Sequence, residues 1–97
     1  MKLWLDDVRP TPNETYFWVV SVEQAKMLIE YFGQDIELID IDHDAGDYAQ
    51  YGGDYIRLLD WLEETNRNYP IRIHSMNPVG VENMRRIIRK NGWTEVF

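Results

Sequence analysis

The sequence predicts a small α/β domain with a doubly wound, mostly parallel sheet of five strands and about three helices. Two observations lead to this class. Short apolar segments typical of strands alternate with segments whose apolar residues recur at helical spacing, an order that favours an open sheet covered on both faces. The length of 97 residues is enough for one hydrophobic core and too short for two, so residues 1–97 are interpreted as a single domain.

Five segments are predicted to be strands because they are short and rich in branched or aromatic residues. The connection between the first two strands contains Pro10 and Pro12, which exclude a regular helix there. Residues 8–15 reach roughly 26 Å when extended, so the two strands are still able to pair in parallel. The predicted strands are Lys2–Leu5, Tyr16–Val20, Glu37–Ile41, Pro70–Ile73 and Trp93–Phe97.

Three helices are predicted from apolar spacing and from residues that begin and end helices. The first begins at a capping box of Ser21 and Gln24 and ends at Gly33. The third begins at Asn77, an N-cap residue followed by proline, and ends at Gly92. The apolar faces contain Ala25, Leu28, Ile29 and Phe32 in the first helix, Tyr55, Leu58, Leu59 and Leu62 in the second, and Val81, Met84, Ile87 and Ile88 in the third.

Composition excludes several classes of function. The chain has no cysteine, so no disulfide, thiolate zinc site or nucleophilic thiol is expected. Its formal charge of −7 argues against long nucleic acid as a partner, because such binding needs many Lys and Arg residues. The apolar run 1–5 is too short for a signal peptide, and no later segment resembles a membrane span. A cytoplasmic location without a membrane partner is therefore expected, and oligomeric state is not predicted.

Polar or ionisable clusters follow three of the predicted strands. Residues 6–9 include Asp6, Asp7 and Arg9, residues 42–44 read Asp-His-Asp, and residues 74–77 contain His, Ser and Asn. In open parallel sheets, ligands bind beyond the carboxyl ends of the strands, where strand order reverses. The loop from residue 45 to residue 53 is expected to border this site.

Two chemistries are predicted for these clusters. Asp6, Asp7 and Asp42 are candidate ligands of Mg²⁺ or Mn²⁺, because carboxylates bind such ions while leaving water positions for a phosphorylated ligand. His43 and His74 are candidate general acid and base, because two imidazoles are able to divide these roles near neutral pH. Each residue also has a structural explanation, since Asp commonly begins turns or caps helices and a single His is commonly a satisfied core residue.

A phosphate is predicted to bind near the start of the third helix, whose free N–H groups attract anions. Asn77 and Gly80 are the candidate substrate-binding residues there, with Gly80 allowing a close approach. Ordinary helix initiation explains the same residues without a ligand. Arg9 is the third candidate, and it either contacts a phosphate or pairs with Asp6 or Asp7.

Three motifs resemble one family: Leu-Asp-Asp-Val-Arg-Pro at 5–10, Asp-His-Asp-Ala-Gly at 42–46, and His-Ser-Met-Asn-Pro-Val-Gly at 74–80. With Asn83-Met84 after them, they make the chain similar to the cyclic-phosphate processing receiver domain, a divergent branch of the receiver-like (flavodoxin-like) fold. The resemblance spans nearly the whole chain. It implies a role in processing cyclic phosphates in RNA repair, nucleotide metabolism, or phage and bacterial conflict systems.

The resemblance also implies roles for individual residues. Asp6 and Asp7 match the acidic pair of receivers, Asp42 the position phosphorylated in ordinary receivers, and Ser75 the hydroxyl residue after the fourth strand. The features special to this branch match His43, His74 and Asn77. The chain departs from the family in three ways: residues 93–97 lack the lysine of ordinary receivers, the helix between the first two strands is missing, and Ala45 replaces a larger apolar residue.

The leading hypothesis is a phosphoesterase that opens a cyclic phosphodiester on a nucleotide or related small molecule. His43, His74, Asp42 and Ser75 are its candidate catalytic residues. Two alternatives remain open. One is a receiver-type switch in which Asp42 accepts a phosphoryl group and Ser75 senses it. The other is a module that binds a cyclic nucleotide or a partner protein without chemistry.

Overall fold

The computed structural model describes all residues from Met1 to Phe97. Each predicted strand and helix is present; the first strand has the predicted ends, and the ends of the other four strands move by at most two residues. Two short 3₁₀ segments, Gly33–Asp35 and Gly46–Gln50, were not predicted. The elements are β1 (Lys2–Leu5), β2 (Tyr16–Val19), α1 (Val22–Phe32), β3 (Leu38–Ile41), α2 (Ile56–Glu64), β4 (Ile71–Ile73), α3 (Pro78–Asn91) and β5 (Glu95–Val96).

The five strands form one parallel sheet in the order β2-β1-β3-β4-β5. The connection over residues 8–15 contains no helix, and β1 and β2 nevertheless pair in parallel, with Lys2 opposite Tyr16. The chain passes from β1 to one neighbour, β2, and then crosses to the other neighbour, β3. The strand order therefore reverses between β1 and β3, which is where such sheets bind ligands.

Local signals at the helix ends are confirmed. The Ser21 side chain accepts a hydrogen bond from the Gln24 backbone N–H, as in a capping box, and the Gln24 side chain accepts from the Val20 N–H in place of the Ser21 N–H. Asn77 caps α3 by accepting from the Gly80 N–H, and Gly92 ends the helix with a φ of 67°, a left-handed conformation that glycine adopts without strain. None of the three helices combines the length and the apolar character that crossing a membrane requires.

All three helices pack on one face of the sheet. Their buried apolar side chains join the inward side chains of the strands in one cluster of 17 residues. The three β-α-β connections all step in the same direction across the sheet, so right-handed crossovers place their helices on the same side. The sheet contributes Leu3, Leu5, Val19, Ile39, Ile41 and Ile71, each fully buried.

The opposite face, here called the second face, carries no helix. Trp4, Asp40 and Arg72 lie side by side across β1, β3 and β4, and their side chains alternate with the inward ones. The connection between β1 and β2 lies against this row, since the Trp4 indole donates to the Arg9 carbonyl. The predicted class, a small receiver-like α/β domain with a five-stranded parallel sheet, three helices and the first helix missing, is confirmed. The difference is that the second face is covered by a loop and a polar network in place of helices.

Candidate functional site

The carboxyl ends of β1, β3 and β4 bring the three predicted clusters into direct contact. The Arg9 side chain bonds to Asp6, from the end of β1, and to Asp42, from the end of β3. The His74 ring, which follows β4, lies 3.1 Å from an oxygen of Asp6. Parallel strands end at the same edge of a sheet, so residues far apart in sequence meet here.

Asp6 is fully buried, and both of its carboxylate oxygens have hydrogen-bonding partners. Its Oδ1 accepts from the backbone N–H groups of Val8 and Arg9, at 3.0 and 2.8 Å. Its Oδ2 lies 2.9 Å from Arg9 Nε and 3.1 Å from His74 Nε2. Burial alone would raise the pKa of Asp6, but these hydrogen bonds and the guanidinium charge outweigh it, so the pKa is lowered.

Asp7 has the opposite surroundings. No basic side chain pairs with it, and burial raises its pKa, as do the negative charges of Asp6, Asp42 and Asp44. Gly46 lies directly against its carboxylate, and a β-carbon at this position would overlap Asp7 Oδ2. Gly46 also has a φ of 55°, so only glycine satisfies both the turn and the contact.

Asp42 completes the predicted acidic group. Its Oδ1 accepts from the His43 backbone N–H at 2.7 Å, and its Oδ2 faces Arg9 Nη2 at 3.3 Å. Carboxylate oxygens of Asp6, Asp7 and Asp42 lie within 4.8 Å of one another. Hard oxygen donors at this spacing fit Mg²⁺ or Mn²⁺, and the unpaired charge on Asp7 favours a cation, although Arg9 already neutralises part of the group.

His74 is enclosed. Its side chain is 7% exposed, Nε2 faces Asp6, and Nδ1 lies 2.6 Å from Asp40 Oδ1. The ring stacks on Trp4 with a centroid distance of 3.7 Å and an interplanar angle of 2°. Both ring nitrogens are therefore engaged by carboxylates, and neither is free for a substrate. The geometry gives His74 a structural role and does not favour the predicted acid or base role.

His43 has one free nitrogen. Its Nδ1 lies 2.8 Å from Asp44 Oδ1, and its Nε2 has no hydrogen-bond partner. Gly80 lies against the ring, and a β-carbon there would come 2.5 Å from His43 Cγ. Gly80 was predicted to admit a ligand, but the space beside it is filled by the imidazole. His43, Asp44 and Asp54 also form a second group of potential ligand atoms within 4.8 Å.

Ser75 and Asn77 serve the turn that leads into α3. The Ser75 hydroxyl accepts from the Asn77 N–H at 3.1 Å, and Asn77 Oδ1 caps the helix. Asn77 Nδ2 also reaches both oxygens of Asp44, at 3.5 Å each. Asn77 thus lies beside the His43–Asp44 pair, whereas no hydrogen bond joins Ser75 to Asp42.

Sequence reasoning missed Asp40, which is the second partner of His74. Asp40 is fully buried within β3 and is bonded by Arg72 Nη1 at 3.1 and 3.4 Å and by the Tyr16 hydroxyl at 3.1 Å. Burial and the Asp40 carboxylate raise the pKa of Tyr16. A carboxylate in the middle of an apolar strand segment, Leu-Ile-Asp-Ile, was the available signal, because a buried charge must have partners.

A surface cavity lies elsewhere. It has a volume of about 300 Å³ and lies between α1 and α2, and none of the predicted site residues lines it. Its lining is largely charged, with the single large apolar side chain Trp61, so it does not have the mostly apolar lining typical of small-molecule pockets. The convergent polar groups at the strand ends therefore remain the better candidate site.

Comparison with known proteins agrees with the motifs. The family described as the cyclic-phosphate processing receiver domain matches residues 1–90. No curated protein and no solved structure gives a match to the chain. The matched region includes all three strand-end clusters and most of α3. The chain belongs to the family of cyclic-phosphate processing receiver domains.

Proposed function

We propose that this domain hydrolyses a cyclic phosphodiester on a nucleotide or a related small molecule. The observation that carries the proposal is the His43–Asp44 pair, which holds one imidazole nitrogen and leaves the other free. A base oriented by a carboxylate is the arrangement that acid–base catalysis requires. The negative charge of Asp44 also contributes to the raised pKa of Asp7 in the acidic group. Membership of the family supports the substrate class.

His43 is the acid–base residue in this proposal. Its free Nε2 removes a proton from water as the water oxygen bonds to phosphorus. The ring P–O bond on the opposite side of phosphorus breaks, the leaving oxygen takes a proton from solvent water, and His43 then releases its own proton to solvent. The product is a phosphomonoester with a free hydroxyl group, so atoms and charge balance. Because water supplies the second proton, His74 is not needed for either transfer.

The acidic group is proposed to hold a divalent cation. Asp7, which has no basic partner, and the Oδ2 atoms of Asp6 and Asp42, which Arg9 contacts, are the groups that would hold it. A bound Mg²⁺ or Mn²⁺ would stabilise the charge that develops on the phosphoryl oxygens. His74 and Asp40 keep Asp6 in place, and Gly80 supports the His43 ring.

The proposal is tested with a panel of cyclic phosphates that includes 2′,3′-cyclic nucleotides and ADP-ribose 1″,2″-cyclic phosphate. Each is incubated with the protein and Mg²⁺, Mn²⁺ or a chelator, and products are followed by phosphorus NMR. We expect at least one ring-opened monoester. Asp44→Asn is expected to lower its rate at least tenfold, whereas Asp47→Asn, an exposed carboxylate of the same segment, leaves the rate unchanged.

Other outcomes lead to the alternatives. An intact ligand with saturable shifts in its phosphorus signal would overturn hydrolysis and indicate a binding module. A phosphoryl adduct formed from an acyl-phosphate donor with Mg²⁺ on the wild type, and absent from Asp42→Asn, would indicate a receiver-type switch. The structure gives that switch little support, since both oxygens of Asp42 accept hydrogen bonds and the side chain is 11% exposed.

A further inference from the structure

We propose that the Arg9 guanidinium is the resident cation of the acidic group, and that Arg9 and a divalent metal ion compete for Asp6 and Asp42. The inference concerns cation binding and does not depend on cyclic-phosphate hydrolysis. Arg9 Nε lies 2.9 Å from Asp6 Oδ2, and Arg9 Nη2 lies 3.3 Å from Asp42 Oδ2. The guanidinium thus bridges carboxylates from two strands, as a chelated metal would.

The carboxylates are fixed and the guanidinium is able to move. Asp6 is fully buried and held by two backbone N–H groups, and the Asp42 side chain is 11% exposed. The Arg9 side chain is 44% exposed. Its backbone is anchored, because its N–H donates to Asp6 and its carbonyl accepts from the Trp4 indole. Exchange therefore requires the Arg9 side chain to leave the two carboxylates and the His74 carbonyl, to which Nη2 also donates at 3.2 Å, and to move into solvent.

The charges in the group make this exchange reasonable. Arg9 pairs with both Asp6 and Asp42, and His74 pairs with Asp6 alone. Asp7 has no basic partner. A divalent ion would add a second positive charge where one guanidinium leaves Asp7 uncompensated. Arg9 opposes that ion in two ways, since it occupies the oxygens and repels a like charge. Removing Arg9 should therefore strengthen metal binding.

The test measures Mn²⁺ affinity by electron paramagnetic resonance of the free ion. The proteins are the wild type, Arg9→Gln, and Arg57→Gln as a matched control. The exposed Arg57 pairs with Asp60 and contacts neither Asp6 nor Asp42, so it tests the general effect of losing one positive charge. We expect Arg9→Gln to bind Mn²⁺ at least about tenfold more tightly than the wild type, and Arg57→Gln to differ by less than about twofold. Mg²⁺ should compete for the same site.

A tighter site in Arg57→Gln to the same degree would overturn the proposal, as would unchanged or weaker binding in Arg9→Gln. A second measurement does not depend on a folded variant. In ¹⁵N NMR of the wild type, Mg²⁺ should shift the Arg9 Nε–H signal towards that of the exposed Arg86, while the Arg72 signal stays in place. Mg²⁺ binding with an unmoved Arg9 signal contradicts the exchange. Neither readout uses turnover, so failure of the proposed hydrolase leaves this result interpretable.

Discussion

The two histidines follow neighbouring strands and each places Nδ1 against a carboxylate, yet the burial of that carboxylate and the partner of Nε2 differ. His74 stacks on Trp4 and places both nitrogens against buried carboxylates. His43 uses one nitrogen to contact Asp44, whose side chain is 59% exposed, and keeps the other free. Residue type and position along the chain predicted the same role for both. The comparison shows that the neighbours supplied by other strands determine which histidine is available to a substrate.

The comparison also separates two kinds of energetic contribution. Around His74, the polar groups are buried and satisfied, so losing one partner leaves another charge buried without compensation. Around His43, the carboxylate partner is exposed to water, and an exposed pair contributes little to stability. The region of His74 should therefore respond to substitution in stability, and the region of His43 in activity.

The largest effect on stability is expected from substituting the carboxylates that contact Nδ1 of His74 and Nδ1 of His43. Asp40→Asn should lower the free energy of unfolding by about 3 kcal/mol, because Arg72 and His74 lose a buried charged partner. The matched change Asp44→Asn should cost less than about 0.5 kcal/mol, because its pair is exposed. Urea unfolding of both variants measures the difference, and equal losses would remove the distinction between the regions.

A smaller loss of stability is expected from Gly80→Ala. The added methyl group would meet the His43 ring, so the ring must move. Alanine is normally favoured over glycine within a helix by about 1 kcal/mol, yet here we expect a net loss of about 1 kcal/mol with a reduced rate of hydrolysis. Thermal unfolding and the His43 ¹⁵N signals monitor this change. A stabilised variant with an unmoved ring would show that Gly80 does not support His43.

The smallest expected effect is a gain in stability. Asp7→Asn should raise the free energy of unfolding at pH 7 by about 0.5 kcal/mol, since it removes a carboxylate placed among three others without a basic partner. The pKa of Asp7 is raised from 3.8 on folding, so its ionised form destabilises the fold. This penalty is absent below the unfolded pKa and is complete above the folded one. The advantage of Asp7→Asn should therefore shrink as the pH falls towards 4, in urea melts with chelator present.

Much of the fold was predictable because its signals are local. The capping box at Ser21, the proline after Asn77 and the glycine at position 92 define helix ends from a few adjacent residues. The gathering of Asp6, Asp42 and His74 was predictable too, because parallel strands end at one edge. Placement of every helix on one face depended on strand order, which local patterns do not determine.

The site was less predictable where it depends on partners from other strands. Asp40 and Trp4 meet His74 only because β1, β3 and β4 lie side by side in one register. The space beside Gly80 is taken up by a side chain that follows β3. A single sequence shows the type of each residue but not which neighbour fills a space or binds a ring nitrogen.

The most direct test of the account measures turnover and unfolding on the same samples of His43→Gln and His74→Gln. We expect His43→Gln to abolish opening of the cyclic phosphate while its urea midpoint stays near that of the wild type. His74→Gln should lose about 2 kcal/mol of stability and keep measurable turnover wherever it remains folded. Full turnover in His43→Gln, with none in folded His74→Gln, would contradict the assignment and return the acid–base role to His74.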